Sequence, residues 1–309
     1  MKSAKSFASS GLVMAALATA QAGVVSTTVH GLSSHELDPM LAVSDVIAGQ
    51  IGQELPPLYG WHPVNTNPAD QLPAFTDGTG VLTSGLTGLL NDFPAPGTPA
   101  KTVQYSFPAT DISRLQVYTG NNGGDGRIFS TTVVRYSVDQ GTNFVLLGYF
   151  QSDPSGTINN AGSSPRYYST MVSIYDDASP RLLAGVTDLI FELYAVDNTL
   201  GEMRDPFEGV NPFTGTDDGL TAPNTSPLVW EIDVFEMPPR LSARLSGTDL
   251  ELTWLTRSTS SFVQAASQLG AADWVDLVPQ PVIQRDGITN RTSIATGSTP
   301  RFFRLRVQP

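Results

Sequence analysis

The 309-residue chain contains no cysteine, and this absence removes several classes of protein at once. Disulfide-stabilised scaffolds, thiolate nucleophiles and zinc sites with cysteine ligands all require that residue. Histidine is nearly as scarce, since the chain has three of them, His30, His35 and His62. A metal site built from several imidazoles is therefore not expected.

Basic side chains are also few, with 17 lysines and arginines against 29 aspartates and glutamates, which leaves a formal net charge of −12. Proteins that bind nucleic acid neutralise its phosphates with clustered lysine and arginine. The acidic balance therefore argues against nucleic acid and against polyanionic membrane surfaces as partners. An acidic surface does help to keep an exported protein soluble.

Long apolar runs are missing as well. A transmembrane helix needs about 20 consecutive apolar residues, and no run approaches this length. Residues 11–18 form a short apolar core, with Lys2 and Lys5 before it and Ala20-Gln21-Ala22 after it, which is the pattern of a secretory signal peptide. The sequence predicts that residues 1–22 are removed from a secreted bacterial protein, extracellular or periplasmic, that has no transmembrane segment.

Glycine and proline are plentiful, at 28 and 23 residues, as all-β chains with many turns require. In residues 101–150, apolar and polar residues alternate between turns rich in glycine and asparagine at 121–126 and 139–143. Period-two alternation predicts antiparallel strands with one buried and one wetter face. The same alternation returns in residues 166–176, 189–195 and 227–237.

Two stretches between these runs are harder to interpret. In residues 23–91, Asp38-Pro39 could open a short helix with aspartate as its cap, whereas residues 43–51 could equally form a strand and loop. Residues 198–227 are rich in glycine, proline, asparagine and aspartate, which predicts a long loop. Loops of this length inside a compact domain are usually functional or mobile.

Met237-Pro238-Pro239 divides the chain, because consecutive prolines cannot continue a sheet ladder and make a stiff connector. We predict one domain over residues 23–237, a linker over 238–240 and a second domain over 241–309. Short glycine-punctuated strands predict that the second domain is a small sandwich of the immunoglobulin or fibronectin type. Its predicted strands are residues 241–245, 249–254, 261–266, 274–278, 281–285, 289–295 and 301–307. Its expected core aromatics are Trp254, Trp274, Phe262, Phe302 and Phe303.

Four segments of the first domain carry a resemblance to a known family. They are residues 73–78, the strand start marked by Phe107, Ile112 and Leu115, residues 126–144, and residues 230–235. In these segments the domain resembles the galactose-binding-like jelly roll of discoidin-type domains and related carbohydrate-binding modules. The resemblance implies an all-β jelly-roll sandwich and a secreted, non-catalytic protein that binds carbohydrate or another polar extracellular surface.

The second domain is similar to a small β-sandwich module found at the C terminus of bacterial secreted proteins. The matching segments are residues 250–255, 261–278 and 301–306. This similarity implies a fold and a secretory context, and no activity.

The resemblance of the first domain also implies one structural calcium ion. In that family an Asp-Gly loop and a glutamate on the final strand often meet around calcium, which takes six to eight oxygen ligands. The motif match carries these roles to Asp77 and Glu231, with Thr79 and Thr83 as weaker candidates; the tryptophan common after the threonine is missing. The alternative makes Asp77-Gly78 an ordinary turn and Glu231 a solvated strand residue.

Sugar sites on sandwiches use aromatic faces that stack on the sugar, together with polar side chains that bond its hydroxyls. The candidates are therefore aromatic and polar residues of the two least regular stretches: Tyr59, Trp61, His62, Arg204, Phe207 and Phe213. For Trp61 the alternative role is to plug the end of the sandwich.

Catalysis has little support in the sequence. A glycosidase needs two carboxylates roughly 5–10 Å apart, and no spacing motif pairs the acids of the long loop, Asp205, Glu208, Asp217 and Asp218. Neither a Gly-x-Ser-x-Gly elbow nor a P-loop occurs. The alternative to a binding protein is a structural cell-surface or matrix protein without a small ligand.

Overall fold

The computed structural model describes residues 23–42, 45–80, 85–121, 126–158, 166–197, 201–238, 241–255, 261–268, 274–286, 289–295 and 302–307. The predicted signal peptide, residues 1–22, and the candidate calcium ligand Thr83 lie outside the described residues. Within the described ranges, no helix is both long enough and apolar enough to span a membrane.

The described secondary structure is almost entirely antiparallel β-strand, so the predicted all-β sandwich class is confirmed. The chain divides into two compact units, of which the first ends at Glu236 and the second begins at Met237. Each unit has its own cluster of buried apolar side chains.

The first unit is built on one curled antiparallel sheet of order β1-β6-β3-β7-β4-β5, with β2 and β8 also paired to β3. The outermost strands β1 and β5 approach each other without pairing, so the sheet is nearly closed around its apolar interior. Its strands are β1 (Val24–Gly31), β2 (Gln53–Glu54), β3 (Lys101–Gly120), β4 (Thr131–Ser137), β5 (Val145–Gln151), β6 (Ser169–Asp176), β7 (Leu183–Leu193) and β8 (Val229–Glu236). Its short 3-10 helices are Asp38–Met40, Pro68–Asp70, Leu72–Phe75 and Gly126–Ile128.

Strand β3 joins the two halves of this sheet. Its residues 101–106 pair with β7, and its residues 114–120 pair with β6 and β8. Register shifts lie between Ser106 and Ile112, and such irregularities bend a strand and increase its twist. Residues 101–120, which precede the predicted turn at 121–126, therefore form one long, bent strand.

The ambiguous stretch before β2 forms a single helical turn, as the Asp38-Pro39 pattern predicted, although Asp38 is its first residue and Leu37 its cap. The strand alternative is wrong for the described residues 45–51, which contain no strand. This stretch covers the open edge of β8, where the Val46 N–H donates to the Val234 carbonyl at 2.9 Å.

The second unit contains two small antiparallel sheets. Its strands are β9 (Ser242–Ser246), β10 (Asp249–Leu255), β11 (Ser261–Ala266), β12 (Val275–Asp276), β13 (Gln284–Asp286), β14 (Thr289–Ala295) and β15 (Phe302–Val307). The orders are β13-β14-β10-β9 and β12-β11-β15. Trp254 is buried in the core, as predicted, with Leu252 and Val263. The core prediction is wrong for Phe302, which lies 38% exposed at the surface.

Candidate functional site

Trp61 closes one end of the first unit over a buried lysine. Its half-buried ring lies 5.7 Å from the Phe75 ring and 4.3 Å from the Lys101 Nζ. Lys101 is fully buried, and its ammonium donates to Glu54 Oε1 at 2.6 Å and to the Gly60 carbonyl at 2.8 Å. Burial lowers the pKa of Lys101, although the Glu54 carboxylate acts in the opposite direction. A cation beneath an indole is stabilised by the ring quadrupole, so these contacts favour the plug role for Trp61.

Residues 91–97 connect the Trp61 segment with the long loop. The Asn91 side chain donates to the Tyr59 carbonyl at 2.7 Å, and the Gly97 N–H donates to the Pro206 carbonyl at 2.6 Å. The structure thus brings the two predicted ligand-binding stretches to one end of the unit. We call this end, formed by residues 59–62, 91–97 and 201–227, the loop end.

Asp92 is the centre of a polar network at the loop end. Its two carboxylate oxygens accept hydrogen bonds from both terminal nitrogens of Arg127, at 2.8 and 2.9 Å. The Ser226 N–H donates to the same carboxylate at 2.9 Å, and His62 Nε2 lies 3.6 Å from it. Burial raises the pKa of Asp92, but the bonds from Arg127 and Ser226 outweigh burial and hold that pKa below its ordinary value. The network therefore keeps charged groups in fixed positions next to solvent.

Phe93 follows this aspartate and was missed by sequence reasoning. It is 74% exposed, and its backbone φ is 60°, in the left-handed region. No periodic pattern marks the surrounding Asn91–Gly97 stretch, whose prolines indicate only a loop. The sequence feature that could have identified Phe93 as a candidate binding residue is an aromatic residue within a proline-rich turn.

Phe207 and Phe213 hold the long loop to the sheet. The Phe213 ring stacks on Tyr149 of β5, with centroids 5.6 Å apart and an interplanar angle of 8°. The Phe207 ring lies 5.8 Å from that of Tyr194, which follows β7, and 5.7 Å from that of Phe213. Both phenylalanines are half-buried, so these contacts support an anchoring role.

Arg204 is already engaged by groups of its own neighbourhood. Its guanidinium lies 3.6 Å from the Asp197 carboxylate and 3.7 Å from that of Glu202. It also donates to the Thr221 carbonyl at 3.5 Å. Arg204 therefore links two parts of the loop end, and its contacts are with the chain itself.

The four loop acids considered for catalysis bind backbone N–H groups. Asp218 Oδ2 accepts from the Asp205 N–H at 2.9 Å, and Glu208 Oε1 accepts from the Ala222 N–H at 3.1 Å. Asp217 and Asp218 each also accept from the N–H two residues ahead. These carboxylates shape the loop, as aspartate commonly does in turns.

The two main calcium candidates come together in the structure through a backbone hydrogen bond. The Gly78 N–H donates to Glu231 Oε2 at 2.8 Å, and Asp77 Oδ1 accepts from the Thr79 N–H at 2.9 Å and from its hydroxyl at 2.5 Å. Asp77 and Thr79 are exposed, whereas Glu231 is only 1% exposed. The alternative in which Glu231 is a solvated strand residue is therefore wrong.

Two further carboxylates, the buried Asp233 and the half-buried Asp45, lie near Glu231. Asp233, two residues along β8, is also 1% exposed, and Asp45 accepts from the Ile47 and Val234 N–H groups at 2.7 and 3.3 Å. Glu231 Oε1 is buried without a hydrogen-bond partner, whereas the carboxyl groups of Asp233 and Asp45 lie within hydrogen-bonding reach of each other. Burial first, and then the neighbouring carboxylates, raise the pKa of Glu231 to about 9. Burial raises the pKa of Asp233 to about 7 and also raises that of Asp45.

Among the described residues, no three histidine, aspartate or glutamate side chains form a group arranged to hold a metal ion. No protein-family model matches the chain. No curated protein matches it either.

Proposed function

We propose that the first unit is a non-catalytic binding module of a secreted protein, and that its loop end recognises carbohydrate or another polar extracellular polymer. The convergence of residues 59–62, 91–97 and 201–227 around Asp92 is the observation that carries this proposal. The discoidin-like sequence pattern supports the same conclusion by analogy, since a fold alone does not determine a function.

Sugar recognition needs hydrogen-bonding groups that are already held in place. Immobilising a flexible side chain on binding costs about 0.5–1.5 kcal/mol, and the paired bonds between Asp92 and Arg127 remove much of that cost in advance. The loop end is also only partly covered, since the side chains of His62 and Arg127 are 25% and 21% exposed. A shallow site of this kind binds single sugars weakly and polymers more tightly, because neighbouring sites act together.

Affinity electrophoresis of the full chain tests the proposal. Native gels would contain soluble xylan, laminarin, galactomannan or polygalacturonate, and migration would be compared with that in a gel without polysaccharide. We expect at least one polymer to retard the protein. A high concentration of the corresponding monosaccharide should restore its normal migration. Unchanged migration in all four gels and no signal on a glycan array would favour the structural-protein alternative.

We also propose that the first unit holds one structural calcium ion. The buried, unpartnered Oε1 of Glu231, whose other oxygen accepts from the Gly78 N–H, is a hard oxygen donor of the kind that calcium requires. Glu231 would hold the ion with the Asp77 loop and Thr79, as the resemblance implies, and Asp233 and Asp45 would add negative charge nearby. The ion would neutralise carboxylates that are otherwise costly to bury together.

A further inference from the structure

We propose that Phe93 is the platform on which the loop end stacks the apolar face of a sugar ring from a neutral polysaccharide. This inference rests on the proposed function and names the group that makes the main contact. Four properties of Phe93 carry it: its exposure, its backbone conformation, the way it is held and its neighbours.

Phe93 is far more exposed than the core phenylalanines of the first unit. Phe75, Phe129 and Phe191 are all 0% exposed, whereas Phe93 is 74% exposed. Leu58 and Val64, which flank the adjoining Tyr59–His62 segment, are also exposed, at 67% and 53%. The loop end and the residues that flank it therefore expose apolar side chains as well as polar groups.

The backbone conformation of Phe93 indicates that its ring serves a purpose other than the stability of the fold. A φ of 60° is disfavoured for any residue with a side chain, and it is a clear outlier for a bulky one. Glycine or asparagine would adopt this conformation with less strain. The exposed ring contributes little burial to offset that strain. Strained residues of this kind cluster at ligand-binding sites, where the surrounding structure over-determines them.

The surroundings of Phe93 hold it firmly. Its N–H donates to the Asn224 carbonyl at 2.8 Å, and the preceding Asp92 is fixed by Arg127 and by the Ser226 N–H. A ring carried on a fixed backbone loses little freedom when a ligand stacks on it, so this arrangement favours binding.

The neighbouring groups indicate the class of ligand. Asp92, the residue before Phe93, is a carboxylate, and its partners His62 and Arg127 carry partly exposed ring and guanidinium nitrogens. This combination suits hydroxyl groups that project from a sugar whose apolar face lies on Phe93. The formal net charge of −12 works against a polyanionic polymer. We therefore assign a neutral polysaccharide.

Three substitutions of Phe93 and a matched control test the inference by affinity electrophoresis in laminarin, xylan and galactomannan, with polygalacturonate as the polyanionic arm. For the neutral polymer that retards the unmodified protein, Phe93→Ala and Phe93→Gly should each raise the dissociation constant at least tenfold. Phe93→Trp should leave that dissociation constant unchanged. Phe93→Gly should also raise the melting temperature of the first unit by about 2–4 °C, because it relieves the backbone strain. The control Val138→Ala alters a 56% exposed residue of the β4–β5 turn and should change neither quantity.

The outcomes separate this inference from the proposed function. If the unmodified protein is retarded and Phe93→Gly is retarded equally, Phe93 is not the platform, while the binding function stands. Retention on polygalacturonate alone overturns the neutral-polymer assignment. A fall in melting temperature in both the Ala and Gly variants shows a structural role instead. Failure of the unmodified protein to bind any polymer overturns the proposed function and this inference with it.

Discussion

At the scale of single residues, the buried carboxylates of β8 set the pH dependence of stability. Folding raises the pKa of Glu231 from 4.5 to about 9 and that of Asp233 from 3.8 to about 7. The folded state therefore binds more protons than the unfolded state between these values, and stability falls as pH rises through that window. We predict that the melting temperature in chelator decreases steadily from pH 5 to pH 9 in calorimetry. A melting temperature that rises over this range would contradict these shifts.

Calcium should restore the stability that the folded protein loses at alkaline pH. An ion that binds only the folded state adds about 2.7 kcal/mol of stability at a hundredfold excess over its dissociation constant. We predict that calcium, and not magnesium, restores the melting temperature lost in chelator at pH 8. Glu231→Gln should remove most of this response and should itself raise the melting temperature in chelator, since it is neutral.

The matched control for calcium is Asp111→Asn. This acid is 43% exposed and pairs with Arg181 at 3.2 Å. Its calcium response should equal that of the unmodified protein. Superimposable melting curves with and without calcium would leave Asp77-Gly78 as a plain turn.

At the scale of elements, two aromatic contacts fasten the long loop. Because Phe213 stacks on Tyr149 and touches Phe207, we predict that Phe213→Ala costs about 1–2 kcal/mol. It should also speed limited proteolysis within residues 201–227. Val210→Ala, in the same loop but 66% exposed, is the control and should leave both unchanged. Equal cleavage rates for the two variants would show that the stacking does not fasten the loop.

The sequence pattern predicted most strands because one face of each is buried by its neighbours, which leaves a local period of two. The burial of Glu231 and Asp233 could not be predicted in this way. The chain that covers them comes from Ala42, whose N–H donates to Asp233 at 3.1 Å, and from Val46, about 190 residues earlier. Phe93 escaped prediction for a different reason, since its position depends on a turn conformation that leaves no periodic signal.

At the scale of the whole molecule, the two units have separate cores. Trp254 is 1% exposed in the core of the second unit, and replacing a buried aromatic residue with alanine costs about 3–5 kcal/mol. We predict two calorimetric transitions for the full chain, one of which disappears in Trp254→Ala. A fragment of residues 240–309 should also fold alone, with β-type circular dichroism. A single transition, lost entirely in the variant, would show that the units fold as one.

The burial of Lys101 beneath Trp61 determines how the protein reacts with amine-specific reagents. The chain has three lysines, Lys2, Lys5 and Lys101. If export removes residues 1–22, Lys101 is the only one left, and its ammonium is inaccessible in the folded protein. An activated ester would then acylate the folded protein at a single place, the new α-amino group of Gly23. Such a protein can be tethered through one end in a uniform orientation, whereas unfolding would expose a second reactive amine.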